Sequence, residues 1–373
     1  MADHTHIEWT DATWNVVTGC AVVSPGCTNC YAMKLAGTRL RDHPSRAGLT
    51  VASKAGPVWN GQVRFNADWL QQPLRWKKPR RIFVAAHGDL FHEGVTDVQL
   101  DQIFAVMALC PQHTFQVLTK RPERMKIYIG KALGRIADTI IRMRRERGDR
   151  DMVVGPLPHL EPGATWWPLP NVWLGVSVED QTRADERIPL LLETPAAVRW
   201  LSVEPLLAPV SLRWAKWHDY AGQIADRRTE RSRSLAEQYD GVRGLHWVVA
   251  GGESGPSARP MHPDWARQLR DQCAEAGIPF LFKQWGTWKE FRHDQDGPSV
   301  HDVDARGEAA KRLLDSVPAD QRAFLSADGR TFRHVTELPD DVPCRLMQRL
   351  GKETNGRLLD GVLHDAYPSA SAG

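Results

Sequence analysis

The sequence predicts an α/β fold, a partial (β/α) barrel with a small appended C-terminal subdomain. Three observations carry this. Seven short β-rich runs recur along the 373 residues, several apolar without alternation, as in parallel strands buried on both faces. Stretches of helical period lie between them, which is the pattern of a parallel sheet with crossover helices. Three cysteines follow the first run directly, where the strand ends of such a barrel gather their chemistry. An open doubly wound sheet is the alternative.

The predicted strands are Trp14–Thr18, Ile82–Ala86, Thr114–Leu118, Val172–Val178, Val198–Val203, His246–Ala250 and Pro279–Phe282. Residues Tyr31 to Leu40 read as a helix, with Met33, Ala36 and Leu40 on one face. After the N-cap candidate Thr96, Leu100, Ile103, Phe104, Met107 and Ala108 keep a helical period until Pro111. Pro122 suits the first turn of another helix, continuing through Leu133, Ile136 and Ile140. His262-Pro263-Asp264 opens a further one, with Ala266, Leu269 and Cys273 on one face and Gly277 as its stop. The barrel is expected over residues 1–285, with Arg-rich insertions near 128–168 and 211–244. Residues 286–373 read as the extension, ending in a frayed tail.

Apolar types make up 42% of the chain and charged types 25%, which rules out wholesale disorder. The longest uncharged apolar run, Ile103 to Cys110, is far short of the roughly 18 residues of a membrane span. The N-terminus has no basic flank or apolar stretch of a signal peptide, so a cytoplasmic protein without membrane contact is expected. A net charge of +3 does not by itself name a partner.

Cys20, Cys27 and Cys30 lie within eleven residues. Cys110 and Cys273 sit on apolar helical faces and read as core. Gly19, Pro25 and Gly26 supply the turns needed to point three sulfurs inward. A structural zinc site needs four protein ligands, and the fourth would have to come from His4, His6 or a distant residue. An iron–sulfur cluster held by three cysteines leaves one iron open. That iron can take the amino and carboxylate groups of S-adenosylmethionine, and one electron then releases a 5′-deoxyadenosyl radical.

The other strand ends carry acids and glycines. Ser177 and Glu179, Glu204, and Gly251-Gly252-Glu253 close the fourth, fifth and sixth strands, and Asp89 and Lys120 follow the second and third. These are the candidate cofactor- or substrate-binding residues. The bland reading pairs the acids with Lys120, Arg121 and Lys283. Three basic stretches stand out: Arg142–Arg150, Asp226–Arg233, and a run interleaved with an aromatic, Arg75, Trp76, Lys77, Lys78, Arg80 and Arg81. Basic side chains suit phosphates and an aromatic suits bases, so this last run is the candidate contact for DNA or RNA.

Together these residues resemble a known family. Thr13-Trp14-Asn15, Gly19-Cys20 and Ser24-Pro25-Gly26-Cys27-Thr28-Asn29-Cys30-Tyr31-Ala32 resemble the opening of a phage-associated and bacterial family of radical-SAM-like proteins. Further matches are Gly88-Asp89-Leu90-Phe91-His92-Glu93, Leu118-Thr119-Lys120-Arg121-Pro122, Gly175-Val176-Ser177-Val178-Glu179 and Leu201-Ser202-Val203-Glu204-Pro205. Gly251-Gly252-Glu253-Ser254-Gly255, Phe282-Lys283-Gln284-Trp285-Gly286 and Gly356-Arg357-Leu358-Leu359-Asp360-Gly361 complete them. The arrangement is distantly similar to spore photoproduct lyase-type enzymes. It departs from the superfamily's usual Cys-x3-Cys-x2-Cys: the first gap is six, and Asn29 stands where an aromatic is usual.

The resemblance implies a radical-SAM partial barrel holding a 4Fe-4S cluster and S-adenosylmethionine, served by an external electron donor. The expected function is radical chemistry on nucleic-acid bases, in modification or repair. The alternatives are a non-catalytic zinc module that binds nucleic acid or protein, and a radical enzyme acting on a small molecule or peptide.

Overall fold

The computed structural model describes residues 5–146, 166–212, 241–291, 317–338 and 344–369. The Asp226–Arg233 stretch, the end of Arg142–Arg150 and His4 lie outside them. Eleven strands lead up to the C-terminal region: β1 (Ala12–Trp14), β2 (Val17–Thr18), β3 (Thr50–Ser53), β4 (Gly56–Trp59), β5 (Arg64–Phe65), β6 (Arg81–Val84), β7 (Thr114–Thr119), β8 (Val172–Ser177), β9 (Val198–Val203), β10 (Trp247–Gly251) and β11 (Phe280–Gln284).

Seven of them form one parallel sheet in the order β1-β6-β7-β8-β9-β10-β11. The order follows the chain without reversing, as in a barrel left open. A doubly wound sheet would reverse at a switch point. The α/β class and the partial-barrel strand arrangement are therefore those the sequence predicts.

The expected first strand, Trp14–Thr18, is two strands. Past Asn15 the chain leaves the sheet, and β2 pairs antiparallel with β5 through Val17–Phe65 and Thr18–Arg64. Asn66 holds this corner by donating from its amide to Asn15 O at 3.0 Å. The helix expected from Pro122 through Ile140 is likewise two, α3 (Pro122–Ile129) and α4 (Leu133–Glu146), following α1 (Tyr31–Gly37) and α2 (Asp97–Ala108). Gly130 ends α3, and α4 then buries Ile136, Ile140 and Met143. Asp101 of α2 ties the three together, accepting from Tyr128 Oη at 2.9 Å and Arg135 Nε at 3.0 Å.

The chain divides into two compact units. One comprises Met1–Ser177 and Glu186–Leu201, the other Val178–Asp185 and Ser202–Gly373. In the first, Gly175 on β8 makes room for Trp200: a Cβ there would meet the indole at 2.5 Å. Trp200 packs edge-on against Trp9 at 5.3 Å. Helix α5 (Gln181–Leu192) crosses between β8 and β9 in sequence.

In the second unit, α6 (Pro263–Ala276) buries Trp265, Ala266, Leu269 and Cys273 and ends at Gly277, whose φ of +68° fits a left-handed stop. Beyond Trp285 a four-stranded antiparallel sheet is built from Trp288–Glu290, Cys344–Arg349, Arg322–Ser326 and Thr331–Phe332, in that order. No helix among the described residues is long and apolar enough to cross a membrane.

Candidate iron–sulfur and nucleic-acid site

The loop after β2 begins at Gly19, whose φ of +91° and 2.3 Å clearance to Gln62 O admit no side chain. Gly19 N donates to His87 O at 3.0 Å, and Gly19 bridges Gly88 in parallel, so the segments after β1 and β6 run against each other. A 3-10 turn, Pro25–Cys27, then reverses the chain, and Cys30 is the N-cap of α1. All three thiols are free, Cys27 buried and the others half-buried. Cys20 and Cys30 pack on one apolar cluster of Ala32, Met33, Ala36, Leu49 and Trp59, and Cys27 acts electrostatically on Cys30.

Each sulfur faces a hydrogen-bond partner. Arg121 Nη1 donates to Cys20 Sγ at 3.7 Å, and Ser24 Oγ stands 3.8 Å from Cys27 Sγ. Burial pushes the Cys30 thiol up, while the backbone N–H groups of Met33 and Ala32 and the Trp59 side chain favour its thiolate. Burial likewise pushes Cys20 up to about 12, reinforced by Asp89 and opposed by Arg121. Cys20 and Cys30 are thus protonated at neutral pH, in surroundings that suit thiolates once a metal supplies positive charge. Among the described residues no three His, Cys, Asp or Glu side chains converge on a point that could hold one metal ion. Sulfurs sharing one zinc at roughly 2.3 Å would have to stand within about 4 Å of each other. Ligands on three separate irons stand further apart.

Arg121 joins three strand ends. Besides Cys20 it donates to Asp89 Oδ2 at 3.0 Å and to both Glu93 oxygens at 3.1 Å. The buried Asp89 carboxylate also accepts from Thr119 Oγ1 at 2.7 Å, Phe91 N at 3.0 Å and Lys120 N at 3.2 Å. Asp89 is thereby a fully used brace. Sequence reasoning passed over Arg121 and Glu93 as site residues, although both fall inside the matched segments.

In the second unit two strand-end acids meet bases, one of which, Lys283, the bland reading named. Glu204 pairs with Lys283 at 3.1 Å. Glu253 is clamped by Arg259 through Nη2 at 2.7 Å, Nε at 3.0 Å and the backbone N–H at 2.8 Å. Glu179 is buried, its backbone O accepting from Leu207 N. Gly251 and Gly252 serve the chain's own packing: a Cβ on Gly252 would lie 1.9 Å from Trp285 O, and one on Gly251 3.0 Å from Glu204 Oε1. In the first unit, Ser177 O accepts from the buried Arg187 at 2.8 Å.

Residues 4–368 match the family described as "Protein of unknown function (DUF5131)". The chain belongs to that family. No curated protein matches it. Among solved structures, a variant of spore photoproduct lyase is 13% identical with a TM-score of 0.32, covering 82% of this chain and 71% of that one. Spore photoproduct lyase complexed with dinucleoside spore photoproduct is 12% identical with a TM-score of 0.31, over the same shares.

The basic run after the 3-10 turn Pro73–Arg75 is more structural than this family member's sequence suggests. Trp76 is only 9% exposed, packed near His113 and covered by the Arg80 guanidinium at 4.9 Å from its ring centroid. It cannot stack a base while it is there, which corrects the expected role. Arg81 is held by Asp11 at 3.1 Å. Arg75, Lys77 and Lys78 remain exposed.

Proposed function

We propose that this chain is a radical-SAM iron–sulfur enzyme acting on nucleic-acid bases, by modification or repair. Cys20, Cys27 and Cys30 would hold a 4Fe-4S cluster whose remaining iron takes S-adenosylmethionine. When bound, this pair supplies the one-electron cleavage of a carbon–sulfur bond, fed by an external donor. The observation that carries the reading is the trio of free thiols after the first strand of a sequentially ordered parallel sheet, each beside a group that can donate to sulfur.

The chain's own residues do the holding. Arg121, braced by Asp89 and Glu93, fixes Cys20, and Leu49, Met33 and Trp59 keep water from the sulfurs. Ser177, Asp89 and Lys120 follow strand ends in the first unit, and Glu179, Glu204, Gly251, Gly252 and Glu253 do so in the second. Because Asp89, Glu204 and Glu253 already meet cations, they act by positioning their partners. Lys77 and Lys78 offer charge to a phosphate backbone.

Anaerobic purification tests this. Wild type should carry about four iron and four sulfide per chain, and Cys27→Ala should lose both. With reductant and S-adenosylmethionine, wild type should release 5′-deoxyadenosine, faster when nucleic acid is present. One zinc per chain without sulfide would replace this reading with a zinc-binding module.

A further inference from the structure

Arg46 is buried, at 4% exposure, and among the described residues no carboxylate pairs with it. Its N–H groups go to neutral acceptors: Nη2 and Nε lie 2.9 and 3.3 Å from His87 Nδ1. Nη1 donates to Ser45 Oγ at 2.6 Å and Ser45 O at 3.4 Å. His87 is uncharged at neutral pH, since burial and Arg46 push its pKa down to about 4, so it accepts from the guanidinium without adding a second charge. Burial lowers Arg46 only to about 10, so it stays charged at neutral pH. A buried cation without a counter-charge is costly, and an anion bound beside it offsets that cost.

A second guanidinium stands close enough to act on the first. Arg64, half-buried, donates to Pro44 O and Ala47 O, again neutral acceptors on either side of Arg46. Tyr31 lies on the same His87, ring centroids 5.6 Å apart, with its hydroxyl donating to Ala86 O and 51% of its surface exposed. Tyr31 directly follows Cys30, and His87 O accepts from the residue before Cys20, so this cluster adjoins the cysteine loop. The surrounding chain has the same sign. Between Asp11 and Asp68 stand Lys34, Arg39, Arg41, Arg46, Lys54 and Arg64 against the single acid Asp42, which meets Arg41 at 3.6 Å. That local excess of five positive charges exceeds the net +3 of the whole chain. A lone carboxylate would answer one charge, whereas a phosphodiester strand answers several at once.

We propose that the half-buried Arg64, backed by the buried charge of Arg46, forms a phosphate subsite that holds a nucleic-acid strand beside the cysteine loop, with the Tyr31 ring as a stacking surface for one base. This rests on the nucleic-acid part of the proposed function and moves the principal contact from residues 75–81 to residues 31–64.

The test is binding of a fluorescent single-stranded oligonucleotide over a salt series. Arg46→Met, which removes one positive charge from the subsite, should weaken binding about tenfold and reduce the slope of log affinity against log salt by about 0.7. Inorganic phosphate should raise the melting temperature of wild type and not of Arg46→Met. Arg64→Gln, at a more open position, should lower the slope likewise and decides the matter if Arg46→Met does not fold. Unchanged affinity and slope in the folded variants overturn the proposal. So does a result in which S-adenosylmethionine, bearing a carboxylate and no phosphate, stabilises wild type through Arg46 while oligonucleotide binding stays intact. The measurement needs no cluster. Wild type without iron would remove the enzyme reading and leave the subsite, whereas unaltered binding in the variants would remove the subsite and leave the cluster.

Discussion

Arg121 shows how one side chain can serve both stability and chemistry. Its guanidinium neutralises the buried Asp89 carboxylate and donates to the Cys20 sulfur. Arg121→Leu strands Asp89 without its cation and should cost about 3–5 kcal/mol in urea unfolding, with Arg121→Lys losing less. Hydrogen bonds to ligand sulfurs raise cluster potentials by favouring the reduced, more negative state. A cluster held as proposed by Cys20, Cys27 and Cys30 should therefore titrate at a lower potential in Arg121→Lys, whose donor is weaker and less directed, than in wild type. Gly19 makes a second residue-scale case. Gly19→Ala places a methyl against Gln62 O at a positive φ, so it should destabilise by more than about 1 kcal/mol and purify with reduced iron. The cysteines were legible because their spacing is local. The contacts that qualify them were not: Arg121 and Cys20 are 101 residues apart, and Arg46 and His87 are 41 apart, distances over which sequence periodicity says nothing.

Elements were read best where a cap announces them. Thr96 and Gln99 form a reciprocal capping box, each side chain bonded to the other's backbone N–H at 3.3 and 3.0 Å. Thr96→Ala should cost about 1 kcal/mol, measurable by chemical denaturation. The breaks within elements were missed because nothing local demands them. Gly130 reads as tolerable inside a helix, and Asn15-Val16 continues a β-rich run until the pairing with Arg64–Phe65 draws the chain away. At the start of α6 the cap is titratable. His262 Nδ1 accepts from Asp264 N at 3.2 Å, which requires that nitrogen to be unprotonated. Burial pushes the His262 pKa down to about 4, with Asp264 opposing and Arg345 and Arg267 assisting. The unfolded chain binds this proton near pH 6.5 and the folded one only near 4, so stability must fall as pH drops between these values. His262→Asn keeps a capping acceptor and should flatten melting temperature against pH across that window. An undiminished slope in the variant would assign the effect elsewhere.

At the scale of the whole molecule, seven strands follow chain order across the parallel sheet, whereas the alternation of runs by itself implied a parallel sheet and left a doubly wound order open. What alternation cannot state is which strand-end side chains remain for chemistry after the fold has used them. Asp89, Glu204 and Glu253 look alike in sequence to free rim acids, yet all three are committed to cations. The six cysteines divide on the same principle. Cys110 and Cys273 are fully buried in apolar packing, and burial pushes Cys273 up to about 12. Cys344 lies half-buried on a strand of the C-terminal antiparallel sheet. None of these three follows a strand of the parallel sheet at its C-terminal end. A chain carrying Cys110→Ala, Cys273→Ala and Cys344→Ala should therefore melt earlier, through the lost packing, while binding as much iron and sulfide as wild type. A chain carrying Cys20→Ala, Cys27→Ala and Cys30→Ala should bind none. Iron lost with the first set, or kept by the second, would show that sulfur ligation does not follow the strand ends of this fold.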